Sequence, residues 1–119
     1  MLKYRKGWID TIYTYIIKCK DGTLYTGVAS DVKKRMKEHL GLEKGGAKYT
    51  KSRPPVYVCA VWESENRSMA SRLEYYIKRL TRYEKLGLIN SLDLSSIAKI
   101  DASLYVLKSE YIGKISLDN

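Results

Sequence analysis

The chain has 119 residues, room for one domain with a modest core, and no apolar run near the length that crosses a bilayer, so no membrane-spanning helix is expected. Lys and Arg number 22 against 13 Asp and Glu, a net charge of +9. That excess attracts polyanions, and binding a phosphate backbone is its commonest use.

The charge is uneven. Residues 91–119 hold Lys99, Lys108 and Lys114 against Asp93, Asp101, Glu110 and Asp118, so 19 of the basic and 9 of the acidic residues fall in the first ninety. The opening MLKYRKGWID lacks the long apolar stretch of a secretory signal, and an intracellular location, cytoplasmic or nucleoid-associated, is expected. Cys19 and Cys59 both fall in predicted strands; they read as buried thiols in a reducing compartment, too few for a zinc cluster.

The first predicted elements form a hairpin. In TYIIKCKDGTLYTG (14–27), two β-prone runs meet at Lys20-Asp21-Gly22. A two-residue Asp21-Gly22 loop pairs Lys20 with Thr23 and sends Tyr15 and Tyr25 to opposite faces. A three-residue loop with Gly22 in the left-handed region pairs Cys19 with Thr23. It sets Tyr15 opposite Gly27 and Tyr25 opposite Ile17, with both phenols on one side. Both loops fit the residues.

SDVKKRMKEHLG follows, with Ser30 as N-cap, Asp31 at the positive end and Gly41 as the stop. Val32, Met36 and Leu40 form its apolar stripe, and Arg35 and His39 lie one turn apart beside it. LEKGGAKYTKSRPP reads as a basic surface loop. VYVCAVWE (56–63) is a third strand. A second helix starts near Asn66 to Ser68, with Ala70, Leu73, Ile77 and Leu80 facing inward, and Thr81 with Glu84 is a capping box opening a third. Beyond residue 90 periodicity comes in patches, as in SLYVLKSEYIG, which suits a strand or a short helix equally. The expected fold is mixed α+β: a small antiparallel three-stranded sheet flanked by helices in the order β-β-α-β-α-α. Residues 1–90 form the domain and 91–119 an extension packed on or appended to it.

Tyr15, the triplet Tyr25-Thr26-Gly27, Arg35, His39 and Glu74, in that order, resemble the GIY-YIG endonuclease superfamily, named for two triplets on an opening hairpin. The likeness is to its small, single-domain bacterial-type branch, where YTG commonly replaces YIG. It extends through GGAKYT and RLEYYIKRLTRYEKLGLI, over residues 11–90. The first triplet here is Tyr13-Thr14-Tyr15, so only its final tyrosine matches.

The resemblance implies a DNA endonuclease using one Mg²⁺ (or Mn²⁺) ion. It implies Glu74 as sole protein ligand, Arg35 on the scissile phosphate, His39 on the water or phosphate, and Tyr15 and Tyr25 activating and placing the water. It therefore requires the three-residue loop, which becomes the expected register. Because an ordinary phenol has a pKa near 10, Arg35, Lys48 and the metal are expected to favour phenolate. Each residue also has a plainer reading: Glu74 as an i,i+4 partner of Lys78, Arg35 as a solvated helix cation, His39 as a satisfied helix-end imidazole, the tyrosines as core. The loop residues Lys48, Tyr49, Lys51 and Arg53 are the expected nucleic-acid contacts, with Tyr49 able to stack on a base. With no separate reading head, preference for DNA structure or single strands over a long recognition sequence is expected, in repair or recombination. The competing reading is a non-catalytic or partner-dependent nucleic-acid-binding module using the same cleft. In its partner-dependent form the apolar stretch from Leu104 to Ile112 serves as the face for a protein partner, its plainer reading being simply core.

Overall fold

The computed structural model describes residues 11–41 and 53–115. Three long strands, β1 (Ile12–Cys19), β2 (Leu24–Ala29) and β3 (Pro55–Ser64), carry helices α1 (Val32–His39), α2 (Arg67–Lys78) and α3 (Arg82–Ser91). The class and element order are those expected, but the sheet has five strands rather than three. β4 (Val106–Leu107) and β5 (Gly113–Lys114) both pair with β3. Two-residue strands contain no alternation to read, which is why SLYVLKSEYIG suited a strand or a short helix equally; it holds β4 and short 3₁₀ turns. Among the described residues, the strand order β2-β1-β3-β4 leaves β2 at an edge with β1 as its one partner strand, while the tail covers the other edge.

The hairpin takes the three-residue loop. Tyr15 pairs with Gly27 and Ile17 with Tyr25, the Cys19 N–H donates to the Thr23 carbonyl at 2.8 Å, and Gly22 sits at φ 88°. The alternation of β1 then feeds two cores. Tyr15 and Ile17 join Ala29, Val32, Met36, Val58 and Val61 on the α1 face. Ile16 joins Ala60, Trp62, Leu73, Ile77 and Leu88 on the face covered by α2 and α3. A bulge opposite Ile16 and Ile17 skips Cys59, so Cys59 and Ala60 both belong to the second core. Leu94, Ile97, Ile100 and Tyr105 of the tail also pack into that core. The expected apolar patch is thereby split: Tyr105 is buried, whereas Leu104 and Val106 are exposed. Both cysteines are buried and unpaired.

Local signals account for the helix ends. The N-cap of α1 is Asp31, one residue later than Ser30: its carboxylate accepts from the Lys34 N–H at 3.0 Å, and a charged acceptor suits the positive helix end. Asn66 caps α2, and Thr81 with Glu84 closes a reciprocal capping box on α3. The buried Thr14 hydroxyl donates to the Ala70 carbonyl at 3.0 Å, fixing α2 along β1. Among the described residues no helix is long and apolar enough to cross a membrane.

Candidate active site

A cleft of about 300 Å³ opens at the β2 edge of the sheet, between α1 on one face and α2 on the other. Tyr15, Tyr25, Arg35, His39 and Glu74, separated by up to 59 positions in the chain, all line it. β1 supplies Tyr15, β2 Tyr25, α1 Arg35 and His39, and α2 Glu74.

Gly27 makes the arrangement possible. A Cβ at that position would stand 2.5 Å from the Tyr15 hydroxyl and 2.7 Å from Cζ. Tyr15 is 1% exposed and has nowhere to retreat. Gly27→Ala is therefore expected to cost about 1–3 kcal/mol of stability by overpacking, read from urea unfolding. An unchanged midpoint would mean that the ring can move aside.

The Tyr15 hydroxyl lies 2.7 Å from His39 Nε2, and the Tyr25 ring meets the same imidazole edge-on at 5.4 Å. Neither partner is charged at rest. Burial pushes the Tyr15 phenol well above its usual range; Tyr25 and Glu74 add to this, and Arg35 only partly opposes it. Arg35 alone therefore does not yield a phenolate, because desolvation of the ring outweighs the neighbouring guanidinium; of the other groups expected to favour one, Lys48 lies outside the described residues. Burial, followed by Arg35, lowers His39 to about 4, against a smaller opposing pull from Glu38. His39 is 1% exposed; it lines the cleft beside the tyrosine, with its Nε2 taken up by the Tyr15 hydroxyl.

Because His39 titrates lower folded than its usual 6.5, the unfolded chain takes up its proton first as pH falls. Its contribution is present above pH 6.5 and is lost as pH drops toward 4. Between pH 6.5 and 5 the wild type is expected to lose about 2 kcal/mol that His39→Gln does not lose. Urea titrations at the two values check this, and parallel losses in both proteins would contradict it.

Arg35 is held by Glu38, whose Oε1 accepts from Nη1 at 3.0 Å while Oε2 takes Lys34 at 2.9 Å. Glu38 is buried beneath these cations. It was not singled out in the sequence, where an acid among helix lysines looks solvated. Arg67, Ser71 and Val28 also line the cleft and were likewise missed. The spacing of Arg67, Ser71 and Glu74 at i, i+4 and i+7 is the signal that would have found the first two.

Glu74 keeps 27% of its side chain exposed, and its Oε2 is 3.1 Å from Lys78 Nζ, the i,i+4 pairing of the plainer reading. Both descriptions hold, since the carboxylate lines the cleft and also takes that partner. Among the described residues no three His, Cys, Asp or Glu side chains gather to hold a metal. One accessible hard oxygen donor in a polar cleft suits a hydrated Mg²⁺ or Mn²⁺ completed by water and phosphate oxygens; it does not suit a closed zinc or calcium cage.

Of the expected nucleic-acid contacts, Lys48, Tyr49 and Lys51 lie outside the described residues. Arg53 is placed beside the hairpin turn, 3.0 Å from Asp21 Oδ2, and is not among the residues lining the cleft.

Comparison with known proteins bears on the same segment. The GIY-YIG catalytic domain matches residues 11–86. A UPF0213 protein of Clostridium perfringens is 50% identical over 80 residues, 66% of this chain and 83% of the relative. One from Staphylococcus saprophyticus is 46% identical over 82 residues, 69% and 98% of the two chains. The solution NMR structure of UPF0213 protein BH0048 from Bacillus halodurans is 41% identical, with a TM-score of 0.44, over 67% of this chain and 83% of that one. The match spans the hairpin, both cleft-lining helices and Glu74, and the chain belongs to the GIY-YIG catalytic domain family, a family of nucleases.

Proposed function

We propose that the chain is a divalent-metal-dependent endonuclease that hydrolyses DNA phosphodiester bonds, selecting structure or single strands rather than a long sequence. The observation that carries this reading is the convergence in one cleft of a neutral Tyr15–His39 pair, the Arg35 guanidinium and the lone Glu74 carboxylate. Net positive charge concentrated in the first ninety residues supplies the attraction for a polyanion.

Arg35 binds the scissile phosphate with its planar fork, and Glu38 keeps that fork oriented. Tyr15 takes a proton from the attacking water as its own proton passes to His39 Nε2. The buried phenol thus never carries a full charge. His39 is a poor proton acceptor in the empty cleft, and a phosphate seated nearby raises its affinity, because a negative charge favours imidazolium. The last turn of α1, where His39 sits, favours it as well. Tyr25 places the water and packs the imidazole. The water oxygen bonds to phosphorus as the ester P–O bond breaks, and the leaving oxygen takes a proton from solvent. A hydrated Mg²⁺ or Mn²⁺ on Glu74 supplies Lewis-acid stabilisation of the phosphoryl oxygens and leaving group.

The test is a cleavage panel on single-stranded, blunt duplex and branched DNA, with Mg²⁺ and with EDTA. Metal-dependent cutting, favouring single-stranded or branched forms, is expected. Binding without cutting under every condition would favour the non-catalytic module. Cutting restored only by a second protein would favour the partner-dependent form, with Leu104 and Val106 as the exposed apolar face.

A further inference from the structure

The outer face of α2 carries an aromatic and basic ledge that the chemistry in the cleft does not use. Arg67, Ser71 and Glu74 form the row that lines the cleft. Roughly 100° further round the helix, Tyr75 follows Glu74 and Arg72 follows Ser71. These side chains interlock. Arg72 Nη2 donates to the Lys99 carbonyl at 3.1 Å, and its guanidinium lies 5.3 Å from the Tyr76 ring centre. Tyr76 meets Tyr75 edge-on at 5.0 Å and 88°, and the Arg79 guanidinium lies 5.1 Å from the Tyr75 centroid.

A tyrosine restrained from both sides has already given up much of its rotamer freedom, so a partner loses little more by stacking on it. Tyr75 nevertheless leaves 52% of its surface in solvent. It sits one residue from the carboxylate of the cleft, among cations, which is the composition that binds unpaired nucleotides: π-faces for bases and guanidinium groups for phosphates.

We propose that Tyr75 is a base-stacking platform for an unpaired nucleotide next to the phosphate held in the cleft, with Arg79 and Arg67 following the backbone on either side. This rests on the nuclease reading given above and specifies where the strand runs. A paired base has its faces occupied by its neighbours, so the ledge favours single-stranded flanks over duplex.

The experiment measures fluorescence anisotropy of labelled oligonucleotides with the full chain in EDTA, where nothing is cut. Wild type, Tyr75→Ala and Tyr75→Trp are compared on a single strand, an abasic strand of equal length and a blunt duplex. Tyr75→Ala is expected to bind the single strand about tenfold more weakly, while Tyr75→Trp holds wild-type affinity. Wild type and Tyr75→Ala should bind the abasic strand alike. Far-UV circular dichroism confirms that the exposed substitution leaves the fold intact. Unchanged affinity of Tyr75→Ala for the single strand would overturn the platform alone. So would an equal loss on the abasic strand or duplex. Wild type that binds no oligonucleotide would overturn the nuclease reading with it.

Discussion

Glu74→Ala is expected to slow single-turnover DNA cleavage by about 10³-fold or more, because a metal's charge stabilisation is worth several kcal/mol and each 1.36 kcal/mol is a factor of ten. DNA affinity should hold or rise slightly, since the substitution removes one negative charge and leaves Arg35 and Arg67 in the cleft. Stability should barely change. The substitution breaks a part-exposed i,i+4 ion pair with Lys78, a kind typically worth about 0.3–0.5 kcal/mol. Abolished cutting together with weakened binding or a lowered melting temperature would point to the plainer structural role. Equal cutting by both proteins would remove Glu74 as metal ligand.

Tyr15→Phe has the second largest expected effect, a fall of about 10²–10⁴ in the cleavage rate, the usual contribution of a positioned proton-transfer group. The phenyl ring keeps the packing against Gly27, so the readout is chemical. The structural cost is the lost hydrogen bond between the Tyr15 hydroxyl and His39 Nε2, about 0.5–1.5 kcal/mol in unfolding experiments. Because the tyrosine and histidine act as one relay, the Tyr15→Phe/His39→Gln double variant should cut no more slowly than the slower single variant. Multiplicative losses would show that the two residues act separately, and a fully active Tyr15→Phe would remove the relay.

The hairpin register could be stated from the sequence only as two alternatives, because Asp21-Gly22 supports either loop. What the two phenols would need to do favours one of them, and the observed pairing of Tyr15 with Gly27 agrees with it. Helix starts were legible because capping is local: α2 begins within the expected Asn66 to Ser68, the Thr81–Glu84 box lies where it was expected, and Asp31 displaced Ser30 by one position. The five cleft residues were legible as an ordered set, whereas their protonation was not. Whether Arg35 or burial governs the Tyr15 proton depends on how completely the ring is sealed, a tertiary property that no spacing encodes. Glu38 was overlooked for the same reason, since its burial is imposed by Lys34 and Arg35 closing over it. The tail strands could not be told from a short helix because β3 selects them by offering its edge, not because Val106–Leu107 or Gly113–Lys114 prefers to be extended.

The most direct measurement asks where a divalent cation and a strand settle together. It is a crystal of the Tyr15→Phe chain grown with Mn²⁺ and a short single-stranded oligonucleotide, with the cation located by its anomalous signal. The account predicts Mn²⁺ bound to the Glu74 carboxylate and one phosphate between Arg35 and position 15, at the β2 edge of the sheet. Mn²⁺ and DNA on another surface, with the cleft holding neither, would contradict it.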